Sequence, residues 1–263
     1  ALEPAVPTRI NVARQGAYGQ YMPPAVADNR SMANDRQAHA DILLKLDNAS
    51  RTSGRPRPAS LLAVSKTRSA EEVARLAAGG QRAFGENYVQ EALPKIDALR
   101  ALGLEWHLIG HLQSNKADAA ARAFDWVQSV DRQKLVTALA RHRPESSPPL
   151  NVLIQVNIDD EASKHGCLPA DVGALADSIT LQPRLRLRGL MAIPAPYEDM
   201  ARRRAAFRAM AQLFEALAAR HPGIDTLSMG MSEDFEAAIA EGATMVRIGT
   251  ALFGPRPGKP EDS

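Results

Sequence analysis

From residue 61 onward the hydrophobic and polar positions follow two alternating rhythms. Short apolar runs fall at 61–65, 82–85, 105–110, 124–128, 150–158, 185–191, 226–229 and 244–249, and each reads as a buried strand. Between them, segments with apolar residues three and four apart begin near residues 69, 86, 113, 131, 169, 198 and 232, and predict helices. Strict alternation of strand and helix predicts a parallel sheet, because each parallel step needs a crossover long enough to hold a helix. Eight such strands predict an α/β fold, a single (β/α)8 TIM barrel. An open doubly wound sheet competes with it, but the chain lacks the glycine-rich nucleotide turn of such folds. After the last run the chain holds only "TALFG" and the tail "PRPGKPEDS", too little for a full closing helix. An earlier helical pattern at 32–49, "MANDRQAHADILLKLDNAS", puts Ile42, Leu43 and Leu46 on one face. It is predicted to fill the place after the last strand. Residues 1–31, rich in proline and glycine, are expected to form a flexible extension, 32–255 the barrel and 256–263 a tail.

Composition narrows the classes of function. The chain of 263 residues is 45% hydrophobic and 24% charged, enough apolar material for a large core. A net charge of +2, with no basic run interleaved with aromatics, argues against a nucleic-acid partner. Cys167 is the single cysteine, so no internal disulfide is possible, and the six histidines show no paired metal-ligand spacing. No apolar run approaches the ~20 residues of a membrane span. No signal-peptide core opens the chain. These features predict a cytoplasmic protein without a metal or membrane partner.

The chemistry is concentrated at strand ends. Of the lysines, Lys66 alone directly follows an unbroken apolar strand, in "LLAVSKT"; Lys164 lies in a loop, and the others fall on helices or in the tail. Barrel enzymes place their chemistry at that end of the strand. A lysine desolvated among apolar neighbours has a lowered pKa, and its neutral amine can attack an aldehyde. At the other edge of the barrel wall, "LSMGMSED" and "RIGTALFG" carry Ser228, Gly230, Ser232, Gly249 and Thr250. Loops after the seventh and eighth strands commonly cradle phosphate. Ser232 is also a natural N-cap for a helix starting at Glu233. Arg247 could pair with phosphate or keep a ring nitrogen unprotonated. An aldehyde that also bears a phosphate satisfies both edges. Pyridoxal 5′-phosphate (PLP) and the sugar phosphates of lysine-dependent aldolases both have that shape.

The motifs "LLAVSKT", "FGENYVQEA", "WHLIGHLQSNK", "GLMAI" and "LSMGMSEDFEAAIAEGATMVRIGTALFG" resemble those of the pyridoxal phosphate homeostasis proteins, over roughly residues 36–255. That resemblance implies a barrel like the N-terminal domain of alanine racemases, with PLP held on Lys66 as an internal aldimine. It implies a contact from Arg247 to the pyridine nitrogen, and phosphate binding by Ser228, Gly249 and Thr250. Asn87, at the end of the second strand, could bond the cofactor. His107 is expected to be a hydrogen-bonded structural residue; Gln113, Asn115 and Lys116 are expected in capping and surface roles. Leu108 stands where the family more commonly has Phe or Met.

The resemblance implies a carrier of PLP, acting in its storage, shielding or delivery, with PLP-dependent apo-enzymes as partners and the protein itself a monomer. The alternative is an amino-acid racemase. Racemisation requires acid/base groups on both faces of the substrate Cα, and Lys66 supplies one. Alanine racemases take the second from a tyrosine across a dimer, on an additional domain for which no chain follows the eighth strand here. Tyr88, Tyr197 and Cys167 are the residues left to supply it.

Overall fold

The computed structural model describes residues 29–161, 164–195 and 197–254. Most of the expected extension and the whole expected tail lie outside them. Helix α1 (Asn29–Thr52) leads into strand β1 (Ser60–Val64), and the alternation then runs without interruption. It comprises α2 (Ala70–Ala78), β2 (Ala83–Glu86), α3 (Val89–Ala98), β3 (Glu105–Leu108), α4 (Ala117–Ala123), β4 (Trp126–Val130), α5 (Gln133–His142) and β5 (Leu150–Gln155). It continues through α6 (Val172–Thr180), β6 (Leu185–Met191), α7 (Met200–Arg220), β7 (Thr226–Ser228), α8 (Phe235–Ala240), β8 (Met245–Ile248) and the short α9 (Thr250–Phe253). Every neighbouring pair of strands is parallel, and β8 pairs with β1, so the sheet closes into an eight-stranded barrel. The predicted (β/α)8 barrel is borne out, and the open sheet is excluded by the pairing of Ala63 with Ile248.

The strands alternate their two faces between two kinds of core. Outward residues such as Ala63, Phe84, Leu108, Val127 and Ile154 join the large apolar layer beneath the helices. Inside the barrel, Leu62, Ile109 and Met245 make one small cluster, and Trp126, Leu153 and Met191 another. α1 packs against α2, α8 and α9, in the place beside the last strand that its sequence predicted. Its buried stripe differs from the expectation. His39, Ile42, Leu46 and Ser50 turn inward, whereas Leu43 is 44% exposed. The spacing of three and four holds, but the stripe is centred one residue away from Leu43 because His39 and Ser50 have buried partners. His39 meets Gln81 at 3.1 Å, and Ser50 Oγ accepts the Ala59 N–H at 3.0 Å. Polar residues with satisfied hydrogen bonds belong to this interface as fully as the leucines do.

Candidate functional site

Closure of the barrel sets β7, β8, β1 and β2 side by side. Every site residue expected from the sequence stands on this arc, at or just past a strand's C-terminal end.

Lys66 is the second residue beyond β1, half-buried in the turn that leads to α2. That turn is pinned at both ends. On the far side, Ser69 caps α2 with a complete capping box: the Glu72 N–H donates to Ser69 Oγ at 3.3 Å and the Ser69 N–H to Glu72 Oε2 at 2.7 Å. On the near side, the Ser65 N–H donates to the Gly85 carbonyl at 2.9 Å and the Ser65 hydroxyl to Glu86 at 2.5 Å. Lys95 from α3 donates to the Ser65 carbonyl at 2.9 Å and to Glu86 Oε1 at 2.6 Å. Thr67 adopts φ +64°, the left-handed region, so the chain turns sharply directly after the lysine. Arg68 donates to the Gly254 carbonyl at 2.5 Å, tying this turn to the segment that leaves β8.

The opposite side of the arc is closely packed against it. A Cβ on Gly249 would lie 3.2 Å from the Val64 carbonyl oxygen, a tight contact that any larger residue would meet by a small shift, so glycine eases the close approach of the ends of β8 and β1. Thr250 is exposed at the start of α9. Arg247 is 3% exposed; Nη1 donates to Ser228 Oγ and Nη2 to the Ala192 carbonyl, each at 2.8 Å. Burial lowers its pKa to about 10, which leaves the guanidinium charged at neutral pH. Asn87 follows β2 and is half-buried. Its carbonyl oxygen lies where a Cβ on Gly110 would come within 2.1 Å, so the exits of β2 and β3 touch backbone to backbone.

Two expectations change in detail. Ser228, expected at the phosphate, is fully buried on β7, where it donates to Gln128 Oε1 at 2.7 Å and accepts from Arg247. Its proton and one of its two lone pairs are engaged by the protein, so donating to a phosphate would require the hydroxyl to turn away from Gln128. Ser232 does not cap a helix: α8 starts at Phe235, and Asp234 Oδ1 accepts the Met231 N–H at 2.7 Å. Asp234, the residue before α8, makes no side-chain capping bond to the helix; its carboxylate reaches back and closes the preceding turn instead. The residues that sequence reasoning missed are Gln128 and the Glu86–Lys95 pair. Gln128 ends the predicted fourth strand and Glu86 directly follows the second, but neither position shows its partner, because Ser228 lies a hundred residues from Gln128 and Lys95 one helix beyond Glu86.

The remaining candidates have other duties. Lys164 pairs with Glu161 at 3.1 Å and Asp159 at 3.5 Å. The Tyr197 hydroxyl donates to Asp159 at 3.2 Å, and Tyr88 is 59% exposed. Burial pushes the Cys167 thiol up to about 12. Among the described residues no group of three metal-ligating side chains exists, and no helix is long and apolar enough to cross a membrane.

An aldehyde bearing a phosphate and a basic ring nitrogen fits this arc. It offers an amine at a pinned turn, a buried guanidinium, and a glycine against which the backbone closes, on adjoining strands. Comparison with known proteins agrees. Residues 40–257 match the alanine racemase N-terminal domain family. The chain is 53% identical over 221 residues to the pyridoxal phosphate homeostasis protein of Escherichia coli K12, covering 82% of this chain and 94% of that one. It is 54% identical over 218 residues to the Pseudomonas aeruginosa protein of the same name, with the same coverage. Among solved structures, PipY of Synechococcus elongatus with PLP bound superposes with a TM-score of 0.72 at 36% identity, over 84% of this chain and all of that one.

Proposed function

We propose that this chain, which belongs to the alanine racemase N-terminal domain family and within it to the pyridoxal phosphate homeostasis proteins, binds PLP covalently and holds it without turning over a substrate. When bound, PLP supplies an aldehyde that condenses with a lysine amine, forming a C=N bond with loss of water. Lys66 is the amine, held at its place by the Ser65 and Ser69 contacts on either side. Arg247 faces the pyridine nitrogen and, as a permanent cation and donor, keeps it unprotonated. The Gly249–Thr250 turn takes the phosphate through its backbone N–H groups and the threonine hydroxyl. Asn87 flanks the ring from β2. Ser228 enters through Arg247, whose guanidinium it orients. The observation that carries the reading is the β8–β1 seam, where Arg247 pairs with Leu62 and Gly249 packs on Val64, two residues before Lys66.

A carrier suits this arrangement better than a racemase. Proton transfer on both faces of a substrate Cα needs a second group opposite Lys66, worth a typical 10²–10⁴-fold. Tyr197 is engaged with Asp159, and the Cys167 thiol is too weak an acid. An unprotonated ring nitrogen also weakens the cofactor as an electron sink for decarboxylation or transamination. We place the protein in the cytoplasm as a monomer that stores PLP or hands it to apo-enzymes. Borohydride reduction of protein mixed with PLP should leave the pyridoxyl label on the Lys66 peptide and none on Lys66→Ala. The same protein should show no racemase, decarboxylase or transaminase turnover above free PLP. Label on Lys164 would move the site. Saturable turnover that Lys66→Ala abolishes would establish the racemase instead.

A further inference from the structure

Five polar side chains across the barrel are linked in one line. Arg247 Nη1 donates to Ser228 Oγ at 2.8 Å, and the Ser228 hydroxyl donates to Gln128 Oε1 at 2.7 Å. Gln128 Nε2 meets His107 Nδ1 at 2.9 Å, and His107 Nε2 meets Glu105 Oε1 at 2.8 Å. The chemistry of the two ends dictates the direction. A guanidinium can only donate and a carboxylate only accept, so the hydroxyl, amide and imidazole between them each accept from one side and donate to the other. Burial pushes the His107 pKa down, which leaves the ring neutral with one N–H, directed at Glu105. That hydrogen bond is the main reason the Glu105 carboxyl titrates below its usual range.

No solvent competes along this line, since Ser228, Gln128 and His107 are all fully buried. The His107 ring also stacks on Trp126, with centroids 5.0 Å apart and planes within 11°, so it cannot swing away. The line spans the barrel. Glu105 opens β3 with 47% of its side chain exposed, whereas Arg247 reaches past the end of β6 to the Ala192 carbonyl. A barrel interior needs none of these groups for packing, and burying them costs free energy unless all are satisfied.

We infer that this directed hydrogen-bond line aims the Arg247 guanidinium at the pyridine ring, with Gln128 and His107 as positioning residues and Glu105 as the anionic end. The inference rests on the reading that Arg247 faces the ring nitrogen of PLP. Two fixed hydrogen bonds define the guanidinium plane, and its further N–H groups remain to serve a ligand. A flexible arginine without that support would lose much of its contact through side-chain disorder.

The test compares binding of PLP with binding of its 1-deaza analogue, in which a C–H replaces the ring nitrogen. The wild-type protein should prefer PLP by roughly tenfold, the scale of one hydrogen bond to a charged group. Arg247→Ala should abolish that preference. Gln128→Leu should reduce it to about twofold or less while leaving affinity for the deaza analogue unchanged, a split that a general loss of stability would not produce. Should Gln128→Leu fail to fold, the isosteric Gln128→Glu removes the N–H donor to His107 and should have the same effect. In the ligand-free wild type, ¹⁵N imidazole shifts should report a neutral His107 protonated at Nε2. Full preference retained in a folded Gln128 variant, or an Nδ1-protonated His107, overturns the inference while the ring-nitrogen contact stands. Preference retained in Arg247→Ala overturns both.

Discussion

Lys95→Met removes the ammonium group from a site where it cannot be replaced by water. Lys95 and Glu86 meet at 2.6 Å with side chains 9% and 0% exposed, and the same Nζ donates to the Ser65 carbonyl. The stranded Glu86 carboxyl would not stay charged; it would take a proton from solution, so the electrostatic penalty is capped by the cost of that protonation. From an ordinary value of 4.5, the cap is about 3.4 kcal/mol at pH 7 and about 0.7 kcal/mol at pH 5, at ~1.36 kcal/mol per pH unit. Losing the bond to Ser65 adds about 1 kcal/mol at either pH. The variant should therefore be destabilised by roughly 4 kcal/mol at pH 7 and roughly 2 kcal/mol at pH 5. The sign follows from burial, which already raises the Glu86 pKa in the folded chain. A carboxyl raised in the folded state keeps a proton that the unfolded chain releases, so the variant loses stability as pH rises above 4.5. Urea unfolding at the two pH values, each against wild type, measures this directly. The double variant Glu86→Leu/Lys95→Met should recover most of the loss and its pH dependence, as apolar replacements of buried ion pairs do. An equal destabilisation at both pH values would refute the reasoning, since it would mean that Glu86 is hydrated.

Other perturbations probe the arc of strand ends. Thr250→Ala should weaken PLP more than non-phosphorylated pyridoxal, by roughly 1.5–3 kcal/mol if the hydroxyl bonds a charged phosphate; equal losses in titrations of both ligands would remove Thr250 from the cradle. Gly110→Ala would place a methyl group 2.1 Å from the Asn87 carbonyl oxygen. The backbone must then shift, so we expect a loss of more than about 2 kcal/mol in urea unfolding and a weaker PLP complex, whereas an unchanged midpoint would show that the two exits do not touch.

Much of the architecture was legible in the chain alone, for a local reason. Strand and helix periods depend on residues close in sequence, so the eight runs and seven intervening helices emerge in order, with boundaries shifted by a few residues at most. The place of Lys66 was legible too, because a charge directly after "LLAVS" breaks the apolar pattern at the end of a strand. Gly249 and Thr250 were marked by composition and by resemblance. The partnerships were decided only by closure. The bond of Ser228 is set only when β7 and β4 face each other across the barrel and Gln128, a hundred residues earlier in sequence, accepts from its hydroxyl. Likewise, spacing alone does not pair Lys95 with Glu86, nine residues before it, or with Ser65, nor does it give His39 and Ser50 the inward stripe of α1. Period-based reading assigns a face by hydrophobicity, but a buried polar group is stabilised by a partner, and the partner's position is a property of the folded barrel. The sequence by itself determined the elements and their order, and it put Lys66 just past the first strand. The tertiary structure decided which polar groups meet, because hydrogen bonds depend on distances that only the closed sheet sets.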